Sequence, residues 1–587
     1  MNDRLTFGSR TREFHKAWTT AGHSIRIQEQ QVRPFFNTYL DLYPSDSQIH
    51  EMVRCAREIE DSSLKEFYLT FGEVCVLASE LKTRSDSPND PPVSITSKND
   101  SIPSLRPPPI QLIKTLKEDE KNSNYDIFLG GSCNPTTWRS EVAIPYLKSS
   151  YLTFYNPQLP NWSPELIQLE HQAKQTSKIL FFVLNEQTRN AVSMIEVSYY
   201  AGVGRTLITV LGSYVDKMKQ LDFNGEIPTS EEIEDLSSGL LVVHDLIERE
   251  NAPVFTDIER ALKCSNQLLN CTTSQRQKSD YFQDLKFVKD GKIKIGDEIL
   301  RVREAFDALD TSRNGIISGD DLKMAFRVHT HRDLSQEDLE QIISIIGGKN
   351  ASVNFEQFCC IVSEFKKKMT SECYLRKDAT ETFSPKASSF FQNFVSPVSK
   401  FFHRVLSRSP SCSFPQVKYR RRQGGSQYFR SRRGSSIRDV YLGGAIDASG
   451  DDWKNTLAIP LLKKNGLTFF APKSYVSQKR RTPIDFSSID SSRVIFFFIP
   501  GRCKYLAEMC EASYYIGQGC NVILCLQPLK EDEPSVSAGL RKDYCRGRSY
   551  LSDIANREGI PVFEELSEGL DCLISKCKSS KLLGGAN

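Results

Sequence analysis

The chain has 587 residues, enough for about three or four domains of ordinary size, and its formal net charge is only +3. It contains no run of about 18 apolar residues, and its charged N-terminus lacks an apolar segment, so we expect neither a membrane span nor a secretory signal. The 16 cysteines show neither the C-x-x-C pairs of zinc sites nor the regular spacing of disulfide frameworks. We therefore expect a soluble protein of the cytoplasm.

The first 82 residues predict an α-helical module. The stretches "REFHKAWTTAGHSIRIQEQQ" and "DSSLKEFYLTFGEVCVLASEL" have helix–loop–helix spacing without a set of metal ligands, which indicates a degenerate EF-hand pair. In residues 83–123, Pro, Ser, Asp and Asn replace periodic apolar residues, so we expect a disordered linker there.

Two later segments, 124–272 and 438–580, repeat one another. "DIFLGG" matches "DVYLGG", "AIPYLKSSYLTFYNP" matches "AIPLLKKNGLTFFAP", and "MIEVSYYAGVG" matches "MCEASYYIGQG", in the same order. Trp138 and Glu196 each precede their counterparts by 315 residues. A period of this length indicates a domain duplication and not a solenoid.

Each copy alternates short β-branched and aromatic runs with helical stretches. Continuous apolar strands separated by helices are typical of a parallel sheet covered on both faces. We therefore predict two doubly wound α/β domains of the flavodoxin or Rossmann type, accompanied by all-α EF-hand modules.

Each copy has candidate site residues near the carboxyl ends of its strands, the edge at which such sheets bind ligands. A glycine pair follows the first strand and a tryptophan comes soon after it. A glutamate lies on the helix after the strand "KILFFVL" or "RVIFFFI", and another acid stands 26 residues before that glutamate. These residues are Gly130, Gly131, Trp138, Glu170 and Glu196 in the first copy, and Gly443, Gly444, Trp453, Asp485 and Glu511 in the second.

Three interpretations fit these residues. Two carboxyl groups facing one pocket can cleave a glycosidic bond, one as nucleophile and the other as proton donor. A pocket of the same kind can bind a nucleoside or nucleotide without turnover. Packing alone also explains the repeated phrase, because an acid complements the helix dipole, tyrosines fill a core and a glycine ends the helix.

The pattern "FLGG…W…AIP…LTFYNP…SKILFFVL…MIEVSYYAG" resembles the nucleoside 2-deoxyribosyltransferase-like superfamily over residues 125–211 and 438–526. The resemblance implies that the two glutamates of the repeated phrase attack C1′ of a deoxyribosyl group. It further implies that the upstream acids assist departure of the base and that the glycine pairs face the sugar. The activity implied is that of an N-deoxyribosyl hydrolase or transferase.

The two copies differ at the residue six positions before the expected nucleophile. Several relatives place an Asp or Ser there to bind the 5′ end of the sugar. This chain has Asn190, which can still hydrogen-bond a hydroxyl or phosphate, and Tyr505, which would fill much of the space. We therefore expect the second copy to be the non-enzyme.

Between the copies, residues 295–366 predict an EF-hand pair. The loop from Asp310 to Asp321 provides oxygen ligands and a glycine turn at EF-hand spacing. Its partner loop from Ile346 to Gln357 has Gly348, Asn350 and Gln357 at positions where a metal site would use carboxylates, so we expect it to be structural. Because Asp at the twelfth position reaches bidentate geometry less easily than Glu, we expect weak Ca²⁺ binding at a site that also tolerates Mg²⁺. A hand that keeps only the fold is the alternative. The ligands are Asp310, Ser312, Asn314, Ile316 through its carbonyl, Ser318 and Asp321.

Residues 367–437 predict a basic linker rich in Ser and Arg. Between Lys400 and Arg438 there are 11 Lys or Arg and no Asp or Glu. The apolar spacing in 387–438 suits docking on a protein partner or on an anionic membrane surface, with a solvated linker as the alternative. No folded recognition motif accompanies the charge, so we do not expect nucleic-acid binding.

The whole arrangement, two deoxyribosyltransferase-like copies flanking an EF-hand pair after a helical module, resembles the animal Raw family of developmental regulators. This resemblance implies a role in restraining JNK signalling during epithelial morphogenesis. The sequence thus supports two hypotheses. One is a calcium-binding regulatory protein whose α/β domains bind nucleotide-like ligands or proteins, and the other is an active N-glycosyl hydrolase or transferase.

Overall fold

The computed structural model divides the chain into two compact units, Met1–Ile95 with Ile293–Gln416 and Thr96–Lys292 with Val417–Asn587. Asp485 and most of the predicted linkers 83–123 and 367–437, including nearly all of 387–438, lie outside the residues that the structure describes. The described residues are 5–23, 25–57, 67–85, 125–158, 165–215, 221–223, 225–270, 288, 291–292, 295–310, 312–330, 334–348, 352–375, 438–445, 452–472, 484, 486–529 and 536–584.

The N-terminal part of the first unit consists of helices and two three-residue strands. The strands pair antiparallel, with the buried Ile27 opposite the buried Leu69. Each strand runs directly into the helix that follows it. The elements are α1 Ser9–Thr20, β1 Arg26–Gln28, α2 Glu29–Tyr39, α3 Asp46–Arg57, β2 Tyr68–Thr70 and α4 Phe71–Ser85.

The first α/β domain is a five-stranded parallel sheet in the order β4-β3-β5-β6-β7. This order is that of a flavodoxin-like doubly wound sheet. The elements are β3 Tyr125–Gly131, a one-turn π-helix Arg139–Ala143, α5 Ile144–Ser149, β4 Phe154–Tyr155, α6 Glu165–Thr176, β5 Ser177–Leu184, α7 Ala191–Val203, β6 Leu207–Leu211, α8 Ser230–Arg249, β7 Val254–Phe255 and α9 Ile258–Asn270.

The middle of the chain returns to the first unit with a second set of helices and short strands. The strands pair antiparallel, with Ile317 opposite Val353, so the helix–loop–strand–helix pattern of the N-terminal part recurs. The elements are α10 Gly296–Asp307, β8 Ile316–Ser318, α11 Gly319–Thr330, α12 Gln336–Ile346, β9 Ser352–Asn354 and α13 Phe355–Leu375.

Carboxylates of α13 join the two parts of this unit. Glu364 accepts hydrogen bonds from the backbone N–H of Thr11 at 2.8 Å and from its hydroxyl at 3.0 Å, in the first turn of α1. Glu356 accepts from the backbone N–H of Gly72 at 2.5 Å, in the first turn of α4. Acids at these positions satisfy free helix donors and complement the positive ends of the helix dipoles. The buried side chains of both parts form one hydrophobic core.

The second α/β domain has the same parallel strand order as the first, β11-β10-β12-β13-β14. Its elements are β10 Arg438–Gly444, a one-turn π-helix Lys454–Ala458, α14 Ile459–Lys464, β11 Phe469–Phe470, α15 Phe486–Asp490, β12 Ser492–Ile499, α16 Leu506–Gly517, β13 Val522–Leu526, α17 Ala538–Arg557, β14 Val562–Phe563 and α18 Leu566–Gly584. The prediction of parallel-sheet α/β domains is therefore confirmed. No helix among the described residues is long and apolar enough to cross a bilayer.

The helices of the repeated phrase, α7 and α16, pack directly on each other. A Cβ atom on Gly202 would lie 2.1 Å from the carbonyl oxygen of Tyr514, and a Cβ on Gly517 would lie 2.4 Å from the carbonyl oxygen of Tyr199. The offset of 315 residues relates these two contacts to each other, so the glycines make reciprocal contacts across a pseudo-twofold axis. Their lack of a side chain is what lets the backbones approach.

The long helices α8 and α17 extend this pseudo-symmetry. Tyr199 donates a hydrogen bond to Glu558 at 2.9 Å, and Tyr514 donates to Glu250 at 2.6 Å. Asp235 of α8 accepts at 2.9 Å from the backbone N–H of Tyr505, at the start of α16 in the other domain. Burial raises the pKa of the Asp235 carboxyl to about 6, against the lowering effect of its hydrogen bonds to Tyr544 and the backbone. Buried side chains from both domains thus form one continuous core.

Replacing Gly202 or Gly517 with Ala should destabilise the protein, although Gly→Ala in a helix ordinarily stabilises it by reducing the entropy of the unfolded chain. The new methyl group would meet a backbone carbonyl, and overpacking of this kind costs about 1–3 kcal/mol. Chemical denaturation of the full chain measures the loss. In the control Gly547→Ala, the nearest atom is the mobile end of Ile195 at 3.2 Å, so the change should stay within about 1 kcal/mol. Equal effects at Gly202 and Gly547 would contradict the prediction.

Candidate functional site

The candidate site of the first domain begins where β3 and β5 end. The sheet order reverses at these neighbouring strands, which is the point at which doubly wound sheets open a crevice. Gly131 ends β3 with a φ of +97°, and a Cβ there would lie 2.1 Å from the carbonyl oxygen of Val183. A Cβ on Gly130 would overlap the ring of Phe182. The close approach of β5 therefore accounts for both glycines of the predicted ligand site.

Asn190, the residue before α7, closes the loop that follows β5. Its backbone is left-handed, with a φ of +54°. Its side-chain oxygen accepts from Ser132 at 2.6 Å, and its amide donates to the carbonyl of Asn185 at 2.7 Å and to the hydroxyl of Tyr214 at 2.9 Å. A ligand at this position would have to exchange with these internal hydrogen bonds.

Glu196 lies in the middle of α7, with its carboxylate 8% exposed. Its Oε1 lies 2.5 Å from Nζ of Lys174 and accepts a hydrogen bond at 2.7 Å from the hydroxyl of Tyr550. The same ammonium lies 2.6 Å from Oε1 of Glu170, one turn earlier on α6. Lys174 therefore brings the two predicted catalytic carboxylates together, with their bonded oxygens at most about 5 Å apart.

The electrostatics of this cluster follow from its burial. Burial alone would lower the pKa of Lys174, but the carboxylates of Glu196 and Glu170 raise it above the ordinary lysine value. Burial, reinforced by Glu196, raises the pKa of Tyr550 well above its ordinary value. Lys174 thus stays an ammonium and Tyr550 stays a hydrogen-bond donor at neutral pH. The ammonium also lies 5.2 Å from the ring centre of Phe128, which extends the favourable field around it.

Trp138 lies on the opposite face of the sheet from Glu196. It is 5% exposed, its indole donates to the carbonyl of Ser132 at 2.9 Å, and it belongs to the hydrophobic cluster that contains Phe181. The neighbouring Arg139, also buried, donates to the carbonyls of Leu129, Gly131 and Ser132. Arg139 therefore supports the end of β3 from this face. The structure does not bring Trp138 together with the acid cluster.

Three functional candidates were missed by sequence reasoning: Lys174, Tyr550 and Arg139. Lys174 lies 22 residues before Glu196 in the chain, and Tyr550 belongs to the second domain. No local motif therefore marks these two partners of Glu196. The only signal in the sequence is the comparison of the two copies. At the offset of 315 residues Lys174 corresponds to Ile489, and at the later offset of 308 Tyr550 corresponds to Val242.

The second domain repeats the scaffold with different polar groups. A Cβ on Gly443 or Gly444 would clash with β12, and Trp453 donates to the carbonyl of Ala445 at 2.7 Å. Glu511 is buried. Lys454, in place of Arg139, is also buried; burial lowers its pKa to about 8, although Asp452, Glu508 and Glu511 act to raise it. The buried ammonium of the second domain is therefore on the π-helix, whereas that of the first domain, Lys174, is on α6.

The side chains of the predicted calcium loop hydrogen-bond to the backbone of the same loop. Asp310 accepts from the backbone N–H groups of Asn314 at 3.1 Å and Gly315 at 2.8 Å, and Asn314 accepts from that of Ile316 at 3.1 Å. Ser318 donates to Asp321 at 2.7 Å, and Gly315 makes the sharp turn with a φ of +77°. The side-chain oxygens at the first, third, fifth, ninth and twelfth positions, together with the Ile316 carbonyl, form the predicted ligand set.

The comparison with protein families concerns only the first of these sites. Residues 124–214 match the family model described as nucleoside 2-deoxyribosyltransferase like. The matched segment of this deoxyribosyltransferase-like domain contains Gly130, Glu170, Lys174, Asn190 and Glu196. None of the curated proteins or solved structures compared with the chain gives a match.

Replacing Lys174 with Met should destabilise the protein strongly. It would leave Glu196 and Glu170 without their shared cation, and breaking a buried pair from one side costs about 3–5 kcal/mol. The matched control is Lys178→Met, four residues away, whose ammonium is 25% exposed and pairs with Asp126 at 3.0 Å. Because water screens that pair, its loss should cost about 0–1 kcal/mol. Comparable denaturation midpoints for the two variants would refute the distinction.

Proposed function

We propose that the chain is a cytoplasmic, calcium-binding regulatory protein whose deoxyribosyltransferase-like domain binds a nucleoside or nucleotide, or a protein partner, without turning it over. The observation that carries this proposal is the environment of Glu196. Its Oε1 bonds to both Lys174 and Tyr550, so the carboxylate is neutralised by a cation and held by a donor. A nucleophilic carboxylate must donate electron density to the carbon that it attacks. Bonds to a cation and to a hydroxyl donor withdraw that density, so this arrangement favours recognition over attack.

Calcium binding is the second part of the proposal, and the loop from Asp310 to Asp321 supports it. The loop lies between α10 and α11, and its strand β8 pairs with β9 as in paired EF-hands. The ligands would be oxygens alone, which suits Ca²⁺ and also Mg²⁺. Asp321 is one methylene shorter than the glutamate that usually chelates Ca²⁺ with both oxygens, so the affinity should be low.

Calorimetric titration with Ca²⁺ tests this part. Wild-type protein should bind about one ion with a Kd weaker than about 10⁻⁵ M, and Asp310→Ala should abolish the heat. Asp321→Glu restores bidentate reach and should tighten binding by about tenfold. The matched control is Asp297→Ala, at an exposed position on α10 outside the loop, which should leave the titration unchanged. No heat in the wild type, or equal binding by Asp310→Ala, would refute the calcium proposal.

The regulatory role that we propose follows the resemblance to the Raw family, namely restraint of JNK signalling. Its support is architectural: helical modules combined with two parallel-sheet α/β domains in one chain. The segment 387–438 would dock a protein partner or an anionic membrane surface. In epithelial cells depleted of this protein, phosphorylation of a JNK substrate should rise, and re-expression of the full chain should reverse the rise. No change on depletion would count against this role.

An active N-glycosyl hydrolase or transferase is the second candidate, and one distance favours it. Oxygens of Glu170 and Glu196 lie at most about 5 Å apart, which is closer than the carboxyl groups of inverting glycosidases and leaves a retaining arrangement as the one to consider. In this alternative Glu196 would attack the anomeric carbon, and Glu170, whose carboxylate is 31% exposed, would protonate the departing base.

Incubation with 2′-deoxynucleosides and their 5′-monophosphates, followed by chromatography for free base, decides between the two candidates. Our proposal expects no release above the buffer rate. Release by wild-type protein that falls by at least 10³-fold in Glu196→Gln would establish the enzyme instead, since loss of a nucleophile costs several orders of magnitude. Release that persists undiminished in Glu196→Gln would show that another residue, or a contaminant, is responsible.

A further inference from the structure

The second α/β domain contributes a side chain to the first domain's site. Tyr550 lies on α17, whose glycine at position 547 packs on Ile195 of α7, and its hydroxyl meets Oε1 of Glu196 at 2.7 Å. Lys174 meets the same oxygen from α6. None of the described donors meets the other oxygen, Oε2. The two donors therefore fix the orientation of the carboxylate and leave Oε2 as the atom that can face a ligand.

The position of the first domain that corresponds to Tyr550 carries no hydrogen-bond donor. Helix α8 packs on α16 as α17 packs on α7, and the two long helices align at an offset of 308 residues from Ser230 to Arg249. At the position of Tyr550, α8 has Val242, which is 2% exposed and carries no polar group. At the position of Lys174, α15 has Ile489, which is fully buried. Both donors that hold Glu196 are thus replaced by apolar residues around the second domain.

The other cross-domain tyrosines rule out a simple difference in packing between the halves. Tyr199 bonds to Glu558 and Tyr514 bonds to Glu250, and the duplication offsets relate these two pairs to each other. The pseudo-twofold relation is therefore kept at these two pairs. It is broken at Tyr550 and Val242, which occupy corresponding positions of α17 and α8.

We propose that Tyr550 is a positioning residue for Glu196, so that the duplicated chain works as a fused, asymmetric dimer in which the second domain completes the acid cluster of the first. The inference rests on the proposed function of that site, because it assigns Oε2 of Glu196 to the bound nucleoside or nucleotide. Its structural part, the coupling of Tyr550 to Glu196, holds or fails independently of any ligand.

A double-mutant cycle in chemical denaturation of the full chain tests the coupling. Tyr550→Phe should shift the unfolding equilibrium constant by about tenfold in the wild-type background and by less than twofold in a Glu196→Met background, where no acceptor remains. The matched control is Tyr199→Phe, which removes a Tyr–Glu bond across the same interface and should give the same shift in both backgrounds. If Glu196→Met does not fold, Glu196→Gln should give a shift intermediate between these values. The inference would be overturned if Tyr550→Phe shifted the unfolding equilibrium constant equally in both backgrounds, or if it caused no shift in the wild-type background.

Calorimetry with 2′-deoxyadenosine and 2′-deoxyadenosine 5′-monophosphate tests the positioning role. Tyr550→Phe should weaken binding of a probe by about tenfold, whereas Tyr199→Phe, although it loses a comparable bond, should change affinity by less than twofold. Equal losses in the two variants would show that Tyr550 acts through stability alone and would overturn the positioning role. If wild-type protein binds neither probe, the proposed ligand class fails, and the unfolding cycle still decides the coupling.

Discussion

The close backbone contact between α7 and α16 is the constraint on which the second unit depends. Gly202 and Gly517 bring each helix against a tyrosine carbonyl of the other, and the pseudo-twofold axis passes between them. This approach places α8 over α16 and α17 over α7, so that each domain is covered by a helix from its neighbour. The cross-domain bonds of Tyr199, Tyr514 and Asp235 follow from it. One face of each sheet thus contributes to a shared interior, while the opposite face of each sheet keeps a core of its own.

Within that interior, the cost of burying charge governs the candidate site. A carboxylate on α7 cannot be desolvated alone, and the ammonium of Lys174, which lies 5.2 Å from the ring centre of Phe128, compensates Glu196. Glu170, 31% exposed, shares the same ammonium and gives the cluster one net negative charge, which its contact with water solvates. The second domain has its buried ammonium at a different position, Lys454, where Asp452, Glu508 and Glu511 act on its charge. The two domains therefore present different electrostatic environments on one scaffold, which is the physical basis for assigning them different roles.

Much of the fold could be predicted from the sequence, because apolar strands at regular spacing and a repeated order of motifs leave little freedom to a parallel sheet. The glycine pair, Trp138 and Glu196 were found for the same reason, as they recur in both copies. The environments of the site residues could not be predicted. Trp138 packs on the face of the sheet opposite Glu196, and Asn190 hydrogen-bonds to the backbone of its own loop. Lys174 and Tyr550 could not be predicted in this way, because they differ between the copies and the repeat marks only the residues that the copies share. The ligand role of the loop at Asp310 stays a prediction.

The order of the units along the chain has a consequence for biosynthesis. The two parts of the first unit lie before and after the first α/β domain in the chain. The second of these parts, α10 to α13, therefore separates the two α/β domains in sequence. Domains tend to fold as units while the chain emerges from the ribosome. Here α1 and α4 must wait for Glu356 and Glu364 of α13, and α7 must wait for α16, so neither core closes when its first half has been made. Nascent chains that end before Glu356 would expose both unfinished surfaces at once, and chains that end between α13 and α16 would still expose that of the first α/β domain, a state that favours aggregation.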